Sequence, residues 1–255
     1  MICKSGIFKK TTLLLIIFLF PAFYCHSEPT PSNERSQNAI KMIKPALEKE
    51  FKEKSLSLGA PVFIRIFKKS KDLEIWIKKN EKFVLFKTYR ICTYGFRGLG
   101  PKMKQGDHRA PEGFYYVPPR FLYPDSTYHL AFDLGYPNQY DRAHNRTGNQ
   151  LMVHGDCISN GCYAMDDKAI TEIYAIADMA LNNGQKFFRV HIFPFKMDNE
   201  NMEKHKESDW IDFWKNLKQG YDLFENGKIP PDVIVRNKKY FFRATGENIA
   251  NRTNQ

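Results

Sequence analysis

Apolar and polar residues alternate in several short segments between residues 60 and 120. In two consecutive segments an apolar side chain recurs at every second position: Val62, Ile64 and Ile66, then Leu73, Ile75 and Ile77. Such alternation is typical of strands, and the polar turn at 69–72 predicts that the two form a hairpin. Short apolar segments at 83–86, 88–93, 114–117, 151–153 and 187–195 predict further strands. The pattern therefore favours a mainly β core.

Two segments have apolar residues at three- and four-residue steps, which indicates helices. The first runs from about residue 38 to 58, where Gly59 is a plausible stop. Pro45 lies inside it and predicts either a kink or the start of the helix. The second covers residues 169–181, and the aspartates just before it, at 166 and 167, are candidate N-caps.

The C-terminal quarter has a different texture. A charged stretch at 199–208 precedes an amphipathic helical pattern with an aromatic stripe: Trp210, Phe213, Trp214, Leu217, Tyr221 and Phe224. Two prolines then break the pattern, and short apolar runs at 233–235 and 240–242 predict a hairpin. We expect the stripe to be core rather than a binding surface, because large aromatic side chains are mostly buried.

The chain accordingly divides into four parts. Residues 1–27 form a targeting segment, and 28–59 a linker (28–37) followed by a helix. Residues 60–195 form the main domain, and 196–255 an extension packed on it. The predicted fold class is a mainly β domain with flanking helices and an α+β C-terminal extension. A chain of 255 residues is long enough for this arrangement around a single core.

The first 27 residues have the pattern of a signal peptide. Lysines 4, 9 and 10 precede an apolar run at 13–20 that is too short for an ordinary transmembrane helix. Cleavage after Ser27 and lipidation of Cys25 are the alternatives at its end, and Tyr24 fits poorly before a lipidated cysteine. An uncleaved anchor would also place the remainder outside the cytoplasm. We expect export, with membrane contact only through this segment before cleavage.

Composition narrows the class of partner. An apolar fraction of 42% and an aromatic fraction of 15% fit a folded globular chain rather than a disordered one. Without the three lysines of the targeting segment, the formal net charge falls from +11 to +8. Such a charge suits an acidic polymer or an anionic surface. The basic residues form no compact block, and export excludes nucleic acid as the partner.

The stretch from Gln150 to Met165 carries the strongest chemical signal. An apolar run leads to His154 and Gly155, and Cys162 follows eight residues after the histidine, directly behind Gly161. A neighbouring imidazole that takes the thiol proton activates a cysteine nucleophile. The following helix N-terminus favours the thiolate. The amides of Gly161 and Cys162 are candidates for an oxyanion hole, because the glycine permits a tight turn.

Three cysteines remain after the targeting segment: Cys92, Cys157 and Cys162. An odd number in an oxidising compartment leaves one thiol unpaired, and nucleophilic catalysis would explain it. A Cys92–Cys157 pair would leave Cys162 free, whereas a Cys157–Cys162 bond would block the nucleophile until reduction. A metal site of His154 with the last two cysteines lacks a fourth ligand and the usual spacing. We expect no metal and no cofactor.

A second element, residues 106–114, combines a proline and two glycines in a predicted turn before a strand. It is either a plain hairpin connection or part of the substrate groove. His108 and Arg109 belong to it, and a cation there would suit a peptide carboxylate.

These motifs resemble a known family. His154-Gly155 followed by Ser159-x-Gly161-Cys162 is similar to the signature of L,D-transpeptidases with a YkuD-type catalytic domain. The fuller string, His-Gly-Asp-Cys-x-Ser-x-Gly-Cys-Tyr-Ala-Met, resembles the YafK-like branch, as do parts of 134–142 and the extension. Asn160 stands where the commoner branch has a second histidine, so a single histidine must serve as base. Residues 106–114 resemble the family's Thr-Pro-x-Gly-x-Phe element, with Ala110 in place of threonine.

The resemblance implies a β-sandwich or mixed-sheet fold and an exported cysteine acyltransferase that acts on peptidoglycan in cell-wall remodelling and cell shape. In this reading Cys162 forms a thioester, His154 is the base, and a backbone carbonyl orients it. Candidate support and substrate residues are Gly161, Ser159 and Gly155, then Arg109, His108 and Tyr163. Diaminopimelate-containing stem peptides in a Gram-negative periplasm are the implied substrate.

The acceptor stays open at this point. An amine acceptor gives a crosslink or an anchored protein, whereas water gives cleavage, which trims stems or releases a wall-attached lipoprotein. Two alternatives from other classes are a wall-binding module without catalysis and a metal-binding exported protein.

Overall fold

The computed structural model describes residues 28–243. The predicted signal peptide, with its alternatives at Cys25 and Ser27, lies outside these residues, as does the end of the extension from 244. The helices are α1 Glu34–Glu53, α2 Gln139–Ala143, α3 Asp167–Asn182, α4 Asn199–Lys204 and α5 Ile211–Gly227. The strands are β1 Val62–Phe67, β2 Asp72–Lys79, β3 Lys82–Arg90, β4 Gly113–Val117, β5 Leu122–Tyr123, β6 Ala131–Asp133, β7 Met152–His154, β8 Tyr163–Ala164, β9 Phe188–Phe193, β10 Asp232–Arg236 and β11 Lys239–Arg243.

The main sheet has five strands in the order β3-β2-β1-β9-β4. β1 and β2 form the predicted antiparallel hairpin, whereas β1 and β9 run parallel. Every residue of β1 is buried, because both faces of the sheet are covered. Ile64 and Ile66 point into the main core, which α3 closes, and Phe63 and Phe67 pack into clusters with residues of the extension. The alternation of the sequence thus separates two apolar environments.

A smaller sheet has four strands in the order β5-β6-β7-β8. It packs in the main core, where Phe132 and Val153 are fully buried. The core also contains Ile170 and Ile173 of α3. Asp166 is the N-cap of α3 and accepts a hydrogen bond from the Ala169 amide, as predicted. This mixture of sheets and flanking helices confirms the predicted fold class.

The first helix differs from the prediction at both ends. It begins at Glu34 because Asn33 and Ser36 form a capping box, so the segment ahead of it is shorter than expected. The Arg35 guanidinium also fastens this turn, donating to the Ser126 carbonyl at 2.9 Å. The helix continues through Pro45, so it does not start there, and ends at Glu53 rather than near Gly59. Burial of Leu47 and Phe51 in the main core holds it across the proline.

One further strand prediction was wrong in detail. The segments at 83–86 and 88–93 form the single strand β3, which pairs with β2 along its whole length. A shift of register between Ile75 and Trp76 interrupts the pairing without ending it. This β-bulge changes the side-chain alternation along β3, which is why the sequence pattern predicted two strands here.

The extension packs on the other face of the main sheet. Trp214, Leu217 and Phe224 of α5 are buried, which confirms that the aromatic stripe is core. The predicted hairpin forms as β10 and β11. Within residues 28–243, no helix has both the length and the apolar character needed to cross a bilayer.

A fully buried ion pair links the end of β1 to the 95–112 segment, and a tryptophan of the extension binds the same carboxylate. Lys68 Nζ lies 3.0 Å from Glu112 Oε1, and both side chains are fully buried. Burial lowers the pKa of Lys68, and Glu112 opposes that shift. The Glu112 carboxylate also accepts the Gly100 amide at 2.7 Å and, through Oε2, the Trp214 indole N–H at 2.8 Å. Both carboxylate oxygens are therefore satisfied, one of them by the extension.

Replacing Trp214 should test this link. Trp214→Phe removes the sole hydrogen-bond donor to Glu112 Oε2 among residues 28–243, and an unsatisfied buried acceptor costs about 1–3 kcal/mol. We expect a loss of that size in the free energy of unfolding, measured by urea denaturation. Tyr221→Phe is the matched control on α5, because the Tyr221 hydroxyl has no hydrogen bond within the described residues. Equal losses for both variants would contradict the expectation.

Candidate active site

The pairing of β7 with β8 brings the predicted nucleophile and base together. The strands are parallel, with Val153 opposite Tyr163 and His154 opposite Ala164. Cys162, directly before β8, therefore lies beside Met152, whose amide donates to its Sγ at 3.4 Å. Side chains two residues apart share one face of a strand, so Cys162 and His154 lie on the same face.

Both residues line one cavity of about 310 Å³. The other lining residues are Lys102, Gln105, Gly106, His108, Tyr128, Asn149, Gln150, Leu151, Ile158, Ser159, Asn160 and Gly161. The cavity thus collects the 102–108 loop, the 149–151 segment and the 158–162 loop around one thiol and one imidazole. These loops are far apart in sequence, and a site of this composition suits a polar, extended ligand.

His154 is held in a defined orientation. Its ring is almost completely buried, and Nδ1 lies 2.7 Å from the Gly155 carbonyl. A carbonyl only accepts, so Nδ1 carries the proton and Nε2 is left with a lone pair. The Tyr128 ring covers the imidazole at a centroid distance of 4.7 Å. Burial lowers the pKa of His154, so its neutral, proton-accepting form is favoured. The predicted orienting carbonyl is confirmed.

Cys162 is the free cysteine of the described residues, and its side chain is half-buried. Sγ lies 3.5 Å from the Gln150 carbonyl, to which the thiol donates. Burial raises the pKa of the Cys162 thiol, and the Met152 amide only partly offsets that effect. Desolvation therefore opposes the thiolate form that the following helix N-terminus was predicted to favour.

The two pKa shifts favour the neutral thiol and the neutral imidazole. Within the part of the chain that the structure describes, no hydrogen bond joins Cys162 Sγ to the His154 ring. Both pKa shifts run in the directions that disfavour a thiolate–imidazolium pair. Such contacts are commonly long before a substrate binds, and proton transfer then accompanies attack.

The loop before the nucleophile is braced by Ser159. Its hydroxyl donates to the Cys162 carbonyl at 2.8 Å and accepts from the Gly161 amide at 3.1 Å. Gly161 has a φ of +155°, a conformation in which other residues are strained. The structure therefore places Ser159 and Gly161 in loop support. The Gly161 amide is engaged within the loop, so the Cys162 amide remains the candidate oxyanion donor of the two predicted.

Gly155 is required by close packing. A Cβ at this position would lie 2.5 Å from Asp167 Oδ1 and 2.9 Å from the Tyr128 carbonyl. The Gly155 amide donates to that carbonyl at 3.0 Å. Asp167 Oδ1 also accepts the Asp156 amide at 2.9 Å, which ties the turn after His154 to α3.

A disulfide joins Cys92 to Cys157 and leaves Cys162 free. Of the alternatives open from the sequence, the first pairing is the one present, and the Cys157–Cys162 bond is not. The bond fastens the turn after His154 to the end of β3. It also removes Cys157 from any thiolate metal site, and no group of three metal-binding side chains occurs in residues 28–243.

The predicted substrate residues have three different fates. His108 lines the cavity, where its ring stacks on Phe96 at 4.6 Å. Arg109 is not among the lining residues: its guanidinium donates to the Leu99 carbonyl at 2.6 Å and lies over Trp210 of the extension. Tyr163 is fully buried, and its hydroxyl donates to the Pro111 carbonyl. It is therefore a packing residue, because its side chain points away from the cavity.

Sequence reasoning missed several of the lining residues, and two of them bear directly on the thiol and the imidazole. Lys102 is the cation that reaches the cavity in place of Arg109, and Tyr128 covers the base. Lys102 is one of 39 lysine and arginine residues and belongs to no motif, so nothing in the sequence distinguishes it as a site residue. Tyr128 lies in an irregular stretch before β6, outside any predicted motif.

Comparison with known proteins gives consistent matches. The YkuD family model, described as the L,D-transpeptidase catalytic domain, matches residues 61–192. The chain is 47% identical over 194 residues to the protein named "Putative L,D-transpeptidase YafK" of Escherichia coli K12, covering 76% of this chain and 78% of that protein. The same figures hold for its counterpart in strain O157:H7.

Solved structures are more distant. The helical cell shape determining protein Pgp2 of Campylobacter jejuni has 18% identity and a TM-score of 0.43, covering 68% of this chain and 72% of that one. Bd1075 of Bdellovibrio bacteriovorus has 21% identity and a TM-score of 0.40, covering 70% and 78% respectively. Likenesses at this level carry no functional argument.

Removing the disulfide should loosen the fold around the site. We expect the double variant Cys92→Ala/Cys157→Ala to lose about 2–4 kcal/mol of unfolding free energy, because the 65-residue loop is no longer closed in the unfolded chain. Urea denaturation measures the loss. Reduced unmutated protein is the control and should match the variant. Equal stability of the variant and the oxidised protein would contradict the expectation.

Proposed function

The chain belongs to the L,D-transpeptidase family with a YkuD-type catalytic domain, and from this premise we propose that Cys162 and His154 catalyse acyl transfer on peptidoglycan stem peptides. One observation carries the proposal: a free thiol and an imidazole whose Nδ1 is anchored by the Gly155 carbonyl line the same cavity. This is the minimum equipment of a cysteine acyltransferase. The disulfide supports it further, because it leaves Cys162 as the unpaired thiol.

Acylation is the first half of the proposed reaction. His154 Nε2 accepts the proton of Cys162 as Sγ attacks the carbonyl carbon of an L-centre in the stem, next to a D-residue. The carbonyl π electrons move to oxygen, and in this proposal the Cys162 amide stabilises the negative charge. Collapse of this intermediate expels the amine of the D-residue, which takes the proton back from His154. A thioester between the stem and Cys162 remains.

Deacylation completes the cycle. The acceptor attacks the thioester carbonyl while His154 takes a proton from it, and the Cys162 thiolate leaves and is reprotonated. An amine acceptor forms a new amide, which is a crosslink or an anchored protein. Water in its place releases a carboxylic acid, so the same site would trim stems or detach a lipoprotein. The nucleophile and base are the same for both fates, so the acceptor is decided by experiment.

The proposed setting is the periplasm of a Gram-negative bacterium. The support is the N-terminal pattern of three lysines and an apolar run, which predicts export. The disulfide between Cys92 and Cys157 agrees with this, because such bonds persist in oxidising compartments. Residues 28–243 act on the wall in this proposal, in its remodelling and in cell shape.

The reaction class can be read from a muropeptide digest. Sacculi carrying bound lipoprotein are incubated with the protein or with Cys162→Ala, the matched inactive control, and analysed by mass spectrometry. We expect product changes with the unmutated protein and none with the variant, since the thioester cannot form. New crosslinks or exchanged terminal residues identify an amine acceptor, and lost crosslinks or released lipoprotein identify water. Identical digests for both proteins would overturn the proposal in favour of a non-catalytic wall-binding module.

The pH dependence should report His154. Because burial lowers the pKa of this imidazole, it stays unprotonated at pH values where an exposed histidine is charged. Activity should therefore persist below pH 6.5 and fall only as the pH drops through the lowered value. The measurement is the acid limb of kcat/KM between about pH 4.5 and 8.

Two variants of the covering tyrosine sharpen this test. Tyr128→Phe keeps the ring over His154 and should leave the acid limb in place, whereas Tyr128→Ala admits water and should move it up towards 6.5. An acid limb at or above 6.5 in the unmutated protein would contradict the expectation.

A further inference from the structure

A buried lysine reaches the active-site cavity from outside the His154–Cys162 motif. Lys102 is only 4% exposed, yet it is one of the residues that line the cavity. An ammonium group is costly to bury without partners, so its position must be built by the surrounding structure. Neighbouring residues supply these partners.

The side chain of Lys102 lies in a fitted channel. A Cβ at Gly148 would stand 2.9 Å from Lys102 Cε, so a larger residue there would displace the lysine stem. The Lys102 carbonyl accepts the Tyr136 hydroxyl at 3.1 Å. The Thr147 amide donates to the Met103 carbonyl at 3.1 Å. The backbone at Lys102 and Met103 is therefore held by two segments that are distant in sequence, at Tyr136 and at Thr147.

The Lys102 ammonium group has three N–H donors but only two hydrogen-bond acceptors among the described residues. Among residues 28–243 it donates to Asp107 Oδ1 at 2.8 Å and to the Lys104 carbonyl at 3.1 Å. A lysine ammonium carries three N–H donors, so one donor is left beside the cavity. This remaining donor is what a ligand would use.

Asp107 holds the Lys102 ammonium in place but accepts only one of its three N–H donors. Its carboxylate also accepts the amides of Met103 at 2.7 Å, Lys104 at 3.0 Å and Arg109 at 3.1 Å. Burial raises its pKa, but these hydrogen bonds and that from Lys102 outweigh it and hold the pKa of Asp107 below its usual range. The carboxylate is shared among four donors, so the loop is rigid and the ammonium is held at a fixed place.

The charge of Lys102 is felt at the nucleophile. Burial dominates the raised pKa of Cys162, the nearby Asp133 adds to it, and Lys102 acts in the opposite direction. The lining residues include no aspartate or glutamate. A ligand anion in this cavity would therefore meet an ammonium donor close to the thiol and no facing carboxylate among the lining side chains.

We infer that Lys102 forms a carboxylate-binding subsite beside Cys162, which holds a carboxylate group of the acyl donor close to the bond that is cleaved. The identity of that donor as a stem peptide rests on the proposed function. Two carboxylates of a stem lie near the bond: the one on the D-centre of diaminopimelate and the terminal one of the leaving D-residue. Both offer the same chemistry to the ammonium, a charge-assisted hydrogen bond.

The first experiment needs no turnover. Cys162 in the full-length protein is alkylated with neutral iodoacetamide or anionic iodoacetate, and the rates are followed by peptide mass spectrometry at this residue. Lys102→Met should lower the iodoacetate rate by about tenfold relative to the iodoacetamide rate, because the anion loses its partner. Lys102→Arg should keep most of the preference for the anion.

The control is Lys168→Met, which removes an exposed lysine from the first turn of α3 and should leave the ratio unchanged. Equal loss of both rates in Lys102→Met would overturn the inference, because it would mean that Lys102 acts only on the ionisation of the thiol. Thermal unfolding of each variant checks that the 102–109 loop remains folded.

The second experiment identifies the carboxylate. Stem peptides are prepared with both carboxylates free, with the diaminopimelate carboxylate amidated, or with the terminal carboxylate amidated. Amidation of the bound group should raise KM about tenfold for the unmutated protein and have no effect on Lys102→Met. The carboxylate whose amidation raises KM in this way is the one that Lys102 binds. Unchanged KM for both amidated peptides would overturn the inference.

The two proposals fail in different ways. Absence of turnover with every stem peptide would count against the proposed function, whereas the alkylation ratio would still decide whether an anion subsite exists at Lys102. If Lys102→Met does not fold, the amidated peptides with unmutated protein and the Lys102→Arg variant still give a decisive result.

Discussion

The parallel pairing of β7 with β8 is the constraint on which the site depends. Its register sets Val153 against Tyr163, and this places Cys162 and His154 on one face. A slip of one residue would turn one of the two side chains to the opposite face. Two parallel strands must be joined by a crossover connection, and here the 155–162 loop is that connection. The Cys92–Cys157 disulfide and the Ser159 hydrogen bonds hold that loop in shape.

Burial decides the electrostatic state of this pair. Desolvation raises the pKa of Cys162 and lowers that of His154, so both effects disfavour separated charges in the resting site. A neutral thiol is a weak nucleophile, so the proposed reaction requires a substrate that completes the environment before Cys162 is activated. The raised thiol pKa also makes Cys162 less open to oxidation, because oxidation follows thiolate character.

The extension contacts the 95–112 segment, which in turn lines part of the cavity. Trp214 satisfies Glu112, which binds Lys68 and the Gly100 amide, and Trp210 covers the Arg109 guanidinium. The 95–112 segment therefore lies between the extension on one side and the active-site cavity on the other. Buried polar groups of this kind need every partner, so the segment has few alternative conformations. Its rigidity is what gives Lys102 and His108 defined positions at the cavity.

Local patterns were enough for much of the fold and for the reactive pair. The β1–β2 hairpin, α3 with its Asp166 cap and the aromatic core of α5 follow from periodicity and capping, which neighbouring residues determine. Cys162 and His154 stand in a compact motif for the same reason. The single strand β3 was not predicted, and local signals left open whether α1 passes through Pro45. Pairing with β2 and packing on the core decide these two points.

Only the tertiary structure decided which other groups reach the thiol. Arg109 and Lys102 are both cations near the same glycines, and no local feature distinguishes them. One points to Leu99 and Trp210 and the other into the cavity, because partners distant in sequence fix each side chain. The choice of Cys157 as the partner of Cys92 is of the same kind. The sequence determined which residues can react, and long-range packing determined what surrounds them, since distances between loops are set by the fold as a whole.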